Sequence, residues 1–222
     1  MQRKYIIGIS FIIFAGLSLV GLNCNNSTSP NANINNNTAT AQSAKQNLPS
    51  EEANKKLLET AIIAGPSESK VTIIEASDFE CPACRYWYPE FKKVIDAYKD
   101  KVQFGYVAFP LSYHTTAMPA ALAVEAANKQ GKGWELYKKL FEGSTIDQTI
   151  IDAQIKALGL DMDKYNTDIA SAELKNKIQN GMELLNQLGL EGTPTFYING
   201  TPLTVNPTFE GFKAEIDKLL AS

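Results

Sequence analysis

The chain is poor in the residues that build metal centres and covalent scaffolds. It has three cysteines and one histidine in 222 residues. A structural zinc site needs about four nitrogen or sulfur ligands. If Cys81 and Cys84 were half of one, only Cys24 and His114 would remain to complete it. No metal is therefore expected. A disulfide-stapled scaffold would need a denser cysteine framework. Positive charge is not in excess either, with 21 Lys and Arg against 24 Asp and Glu and a net charge of −3. That excludes the basic footprint of a nucleic-acid binder. The charges are interspersed, as on solvated helix faces. No internal repeat is present.

One stretch lacks charge altogether. After Arg3 and Lys4, nothing from Tyr5 to Leu22 is ionisable at neutral pH. A basic start followed by an apolar run is the layout of an export signal. The run is also long enough for a borderline membrane span. Cys24 follows directly. A cysteine there resembles a bacterial lipoprotein signal, in which it is lipidated and becomes the mature N-terminus. The match is loose, because Gly21 and Asn23 stand where that signal carries a large aliphatic and a small residue. An uncleaved anchor and simple secretion are the alternatives. All three place the rest of the chain outside the cytoplasm, in the periplasmic space or cell envelope.

From Asn23 to Asn37 there are eight asparagines, mixed with Ser, Thr and Pro. Such a composition buries too little apolar surface to offset its ordering entropy. A disordered tether of roughly 25 residues is expected, reaching about 25–30 Å. The organisation is thus a signal over 1–23, a lipidated cysteine and tether over 24–50, and a folded domain over 51–222. About 155–170 residues are enough for one domain with a sizeable core.

Within that domain, Glu51 to Ala64 reads as an amphipathic helix stopped by Gly65-Pro66. Val71 to Ala76 is a short β-branched strand, Arg85 to Lys99 a helix, and Lys101 to Ala108 a second strand. Strand–helix–strand implies a parallel pair with a crossover. The middle is helical: 116–128, 133–141, 145–158, 161–169, and a long helix capped by Ser171 and running to Leu188. Strands return at 195–198 and 201–205 around Asn199-Gly200, a strong hairpin signal. A helix from Thr208 to Leu220 closes the chain. The order is βαβ, a helical insertion over about 113–189, then ββα. This is an α/β fold.

Cys81-Pro82-Ala83-Cys84 stands between the first strand and its helix. Cys81 falls at the N-cap and Pro82 at the first helical position, which proline favours. Unpaired amides and the helix dipole there favour a thiolate on Cys81. Cys84, one turn on, lies on the same face and can attack a mixed disulfide formed by Cys81. A merely structural disulfide is the weaker alternative, because so small a loop restrains the unfolded chain little.

VTIIEASDFECPAC, FPLSYHTTAMPAALAVEAA and GTPTFYING together resemble the DsbA-like thiol:disulfide oxidoreductases, which have a thioredoxin-like fold with an inserted all-helical subdomain. The resemblance covers roughly Ser69 to Leu220. It implies that Pro194 is a cis-proline facing the cysteines, and that Thr193 offers its backbone to an extended substrate. It also implies that Glu75, six residues before Cys81, is a buried acid. The pKa of such an acid should be raised, and it could exchange the proton of Cys84. Between the cysteines, Ala83 stands where the strongest oxidant of the family has histidine. Asp78 and Glu80 read as exposed acids that would weakly oppose the Cys81 thiolate. His114 reads as the start of a helix, in a capping or packing role. Among Phe79, Tyr86, Trp87 and Tyr88, at least half should be core and the rest a possible apolar collar.

The expected function is an extracytoplasmic thiol–disulfide oxidoreductase that forms or exchanges disulfides in exported proteins. Cys81 and Cys84 are the redox pair, Glu75 the proton acceptor, and Thr193 and Pro194 the substrate-aligning residues. No organic cofactor is needed. The expected partners are exported thiols and disulfides, a membrane redox protein that resets the pair, and the membrane itself through the N-terminus. A monomer is expected. The competing readings are a tethered thioredoxin-fold binding or chaperone protein without redox turnover, and a thiol reductase.

Overall fold

A computed structural model of the chain describes residues 48–222. The export signal, Cys24 and most of the expected tether lie outside the described residues. Among the described residues no helix is long and apolar enough to cross a membrane.

A five-stranded sheet organises the domain, in the order β1-β3-β2-β4-β5. The strands are β1 (Ile62–Ala64), β2 (Val71–Ser77), β3 (Val102–Ala108), β4 (Thr195–Ile198) and β5 (Thr201–Pro202). Strands β2 and β3 pair in parallel, and every other pairing is antiparallel. The helix joining the parallel pair is α2 (Pro82–Tyr98). This is the expected thioredoxin-like α/β arrangement. Central strand β2 is buried along its whole length, so its alternate side chains enter two different cores.

Val71 and Ile73 join Phe91, Val94, Phe104, Phe196, Phe212 and Ile216 under α2 and the closing helix α8 (Phe209–Ala221). Ile74 and Ala76 join Leu57, Val107, Leu185 and Tyr197 on the opposite face. That face is covered by α1 (Ser50–Thr60) and by α7 (Ala172–Gln187). Each fully buried side chain of this size contributes about 1.5–3 kcal/mol.

Five helices separate β3 from β4: α3 (Ala117–Asn128), α4 (Gly133–Glu142), α5 (Gln148–Ala157), α6 (Met162–Ile169) and α7. Alanine-rich α3 is buried at nine positions, because small side chains let α4, α5, α6 and α7 pack around it. Side-chain caps set the starts of several helices. Asp147, Asp161, Ser171 and Thr208 each accept a hydrogen bond from a first-turn amide, a contact worth about 1 kcal/mol.

Two expectations need correction. The first helix ends at Thr60, and Ile62–Ala64 is a strand. The run 61–64 is short and apolar, which suits either structure. The open edge of β3 decides it, pairing Ile62 with Tyr106 and Ala64 with Phe104. The final hairpin is also shorter than its sequence suggests, because β5 stops at Pro202, which has no amide to donate. Its turn is as expected. Asn199 and Gly200 both have positive φ, and the Asn199 amide side chain bonds Thr72 N and Lys70 O at the start of β2.

Candidate active site

The end of β2 and the start of α2 set the site. Cys81 is the N-cap of α2 and Pro82 its first residue. Cys84 follows one turn later, as the spacing requires. Both cysteines are free thiols, Cys81 7% exposed and Cys84 not at all. Far along the chain, the Thr193–Pro194 peptide bond is cis. It brings the Thr193 carbonyl oxygen to 3.5 Å from Cys81 Sγ. The two residues are separated by 112 positions, yet they meet as the resemblance implies.

The two sulfurs have opposite acidities. The hydrogen bond from Cys84 lowers the pKa of Cys81 most, and burial opposes it. Thr193 and the amides of Ala83 and Cys84 add to the lowering. Ala83 therefore acts through its backbone. Burial raises the pKa of Cys84 most, helped by its bond to Cys81 and by the charge of Glu75. Cys81 is thus the more acidic sulfur of the pair and Cys84 the less acidic.

Glu75 is fully buried. Burial raises its pKa to about 7, against the lowering effect of the hydrogen bond from Tyr137 and of the nearby Ser77 hydroxyl. The Tyr137 hydroxyl donates to Oε2, while Oε1 has no hydrogen-bond partner among the described residues. Tyr137 lies on α4, so the helical layer supplies part of the floor. Phe79, Tyr88, Tyr106, Tyr137 and Phe141 form an aromatic cluster around that floor, with ring centroids 4.7 Å apart for Phe79 and Phe141 and 5.1 Å for Tyr106 and Tyr137. Phe79 and Tyr88 are core, whereas Tyr86 is 72% exposed beside Trp87.

The acids before Cys81 are not the exposed pair that the sequence suggests. Asp78 is buried. Its Oδ1 accepts from Glu80 N, and its Oδ2 accepts from Leu111 N and meets His114 Nδ1 at 2.8 Å. Glu80 Oε2 accepts from Thr116 N. His114 precedes α3 rather than starting it. Burial lowers its pKa, but the bond and charge of Asp78 prevail and raise it. These contacts pin the cysteine loop to the segment after β3. Arg85 adds a second tie, donating to Gly143 O at 2.7 Å and Leu140 O at 3.2 Å, at the C-terminus of α4.

Sequence reasoning missed Tyr137, Ser77, the Asp78–His114 pair and Arg85. Tyr137 sits in an apolar helical stripe with Leu136, Leu140 and Phe141, which hides the role of its hydroxyl. Among the described residues no cluster of His, Cys, Asp or Glu could hold a metal ion.

The thioredoxin family model matches residues 57–218. A probable disulfide bond formation protein D from Bacillus cereus is 31% identical over 171 residues, covering 70% of this chain and 77% of that protein. The chain belongs to the DsbA-like thioredoxin family. It is a thiol:disulfide oxidoreductase. The DsbA-like fold is shared with a thioredoxin-like oxidoreductase from Silicibacter pomeroyi, at a TM-score of 0.67 and 26% identity, covering 76% of this chain and 98% of that one. It is also shared with the thiol-disulfide exchange protein alpha-DsbA2 from Wolbachia pipientis, at a TM-score of 0.64 and 20% identity, covering 77% and 97%.

Proposed function

We propose that this oxidoreductase works outside the cytoplasm on exported proteins, with Cys81 as the attacking or attacked sulfur and Cys84 as the resolving one. The observation that carries the assignment is the position of Cys81: at the N-cap of α2, with Sγ beside the Thr193 carbonyl that precedes cis-Pro194. An extended client strand can pair with the backbone at Thr193 and bring its own sulfur to Cys81.

In the oxidising direction a client thiolate attacks Cys81 Sγ. The Cys81–Cys84 bond breaks and Cys84 leaves, taking a proton that Glu75 supplies. A second client thiol then displaces Cys81 and completes the client disulfide. Reduction runs these steps backwards, with Glu75 accepting the Cys84 proton. A depressed thiolate pKa on Cys81 makes it the better leaving group, which favours oxidation of clients. A membrane redox partner would return the pair to the disulfide. The apolar N-terminal segment and Cys24 support a membrane-anchored domain on a tether between Cys24 and α1, since disulfides persist in oxidising compartments.

Titration against a glutathione redox series, read through Trp87 fluorescence, should show one reversible two-electron transition. A flat response at every poise would sink the catalytic role of the pair and leave the binding-protein reading. The Cys84→Ala variant should accumulate client mixed disulfides on Cys81. Equal trapping by a chain lacking Cys81 would overturn the assignment of roles.

A further inference from the structure

His114 is the only histidine in the chain, and the exchange steps make no use of it. It stands in the segment between β3 and α3, with its side chain 14% exposed. The ring of the exposed Tyr113 packs edge-on against it, with centroids 4.5 Å apart. Its Nδ1 lies 2.8 Å from Oδ2 of Asp78, whose side chain is wholly buried. Among the described residues this is the only ion pair that Asp78 makes.

Asp78 also opens the turn that delivers Cys81. Its carbonyl oxygen accepts from Cys81 N at 3.2 Å, and its Oδ1 accepts from Glu80 N at 2.7 Å. A turn closed in this way keeps its end residues within about 7 Å of each other. Hydrogen bonds thus run unbroken from the imidazole through Asp78 to the backbone of Cys81. The same turn gathers negative charge, since Asp78 and Glu80 both precede Cys81, and a like charge disfavours a thiolate. Arg85 faces Asp78 and Cys84 from α2, but its guanidinium is committed to the carbonyls of Leu140 and Gly143. The titratable groups around the His114 ring are Asp78 and Glu80 from the turn, Cys81 from the start of α2, and Tyr113 beside it. Burial works against a charge on the ring, and Asp78, Glu80 and Cys81 work for it.

We propose that His114 is a positioning residue for the exchange reaction: paired with Asp78, its imidazolium holds the 78–81 turn and offsets the buried carboxylate that would oppose a thiolate on Cys81. This rests on the assignment of Cys81 as the attacking sulfur, and His114 acts through Asp78. Only the reduced pair feels the charge, because the disulfide carries no thiolate. A charged ring therefore stabilises the reduced protein and makes the disulfide a stronger oxidant. The coupling is reciprocal: as the ring favours the thiolate, the thiolate favours the charged ring. The effect is full between the lowered Cys81 pKa of about 5 and the raised pKa of His114, and it is lost as the ring becomes neutral at higher pH.

The test follows the imidazole of the parent protein by proton NMR from pH 5 to 9, in the oxidised and the reduced chain. With one histidine in the sequence, its ring signal needs no assignment when the chain carries no histidine tag. The ring should hold its proton more tightly in the reduced form, by the factor of about five or more typical of coupled sites. Equal titration in the two redox states overturns the proposal. A second arm repeats the glutathione series with His114→Gln, which keeps a donor for Asp78 without the charge. At pH 6 its transition should lie about fivefold toward the disulfide relative to the parent. At pH 9 the two transitions should coincide. A parent-like transition at pH 6, or an equal offset at both pH values, overturns the role of the charge. Absence of any transition in the parent instead removes the assignment of the cysteine pair on which the inference rests. If His114→Gln does not fold, the NMR comparison in the parent decides alone.

Discussion

Two buried carboxylates flank the turn from β2 into the redox motif, three residues apart, and they are built in opposite ways. Asp78 is saturated: two amides and the His114 ring surround it. Glu75 has one phenol on one oxygen and, among the described residues, no hydrogen-bond partner on the other. A buried acid held by several donors is a fixture of the fold. A buried acid held by one is poised to gain or lose a proton, which is the state a base for Cys84 needs. Burial alone does not distinguish them; the number of donors does.

Replacing Asp78 breaks the comparison most severely. Asp78→Ala leaves the His114 ring and two amides without their acceptor, and breaking a buried pair in this way costs about 3–5 kcal/mol. Urea unfolding should register the loss at neutral pH. A change under 1 kcal/mol would mean that Asp78 is not the anchor of the loop.

Glu75 should behave in the reverse manner. Its folded pKa lies near 7, above the ordinary 4.5. The folded state therefore prefers its protonated form. That preference is fully present below about pH 4.5 and is lost as pH rises through 7. Ionised, the side chain costs up to about 3 kcal/mol, at roughly 1.4 kcal/mol per pH unit. Glu75→Gln should recover most of this at pH 8 and much less at pH 5. Equal gains at both values would contradict the raised pKa.

A carboxylate whose hydrogen bond only caps a helix gives the smallest effect and serves as the control. Asp147 caps α5 by accepting from Ile150 N. Asp147→Ala should cost about 1 kcal/mol in the same unfolding experiment, with exchange kinetics unchanged. Slower exchange would show that stability alone, and not the chemistry of Glu75, sets the rate.

The contrast between the two acids also marks how far the sequence could be read. Cys81 and Pro82 were legible because capping is local, and so were Ser171, Thr208 and the Asn199-Gly200 turn. Glu75 and Pro194 were placed through the family resemblance. What stayed hidden depends on partners distant in sequence. His114 meets Asp78 across 36 residues, and Tyr137 meets Glu75 across 62. Neither spacing has a periodicity that could reveal it. Asp78 and Glu80 looked exposed because acids usually are. Strand β1 was hidden for the same reason, since its identity comes from the open edge of β3 and not from its own three residues.

The central claim is that Glu75 is the base for Cys84. Its most direct test is the pH dependence of single-turnover resolution between pH 5 and 9. The parent rate should rise through an apparent pKa near 7, as Glu75 ionises. In Glu75→Gln that inflection should vanish and the rate at pH 8 should fall at least tenfold. An unchanged profile in Glu75→Gln would contradict the claim.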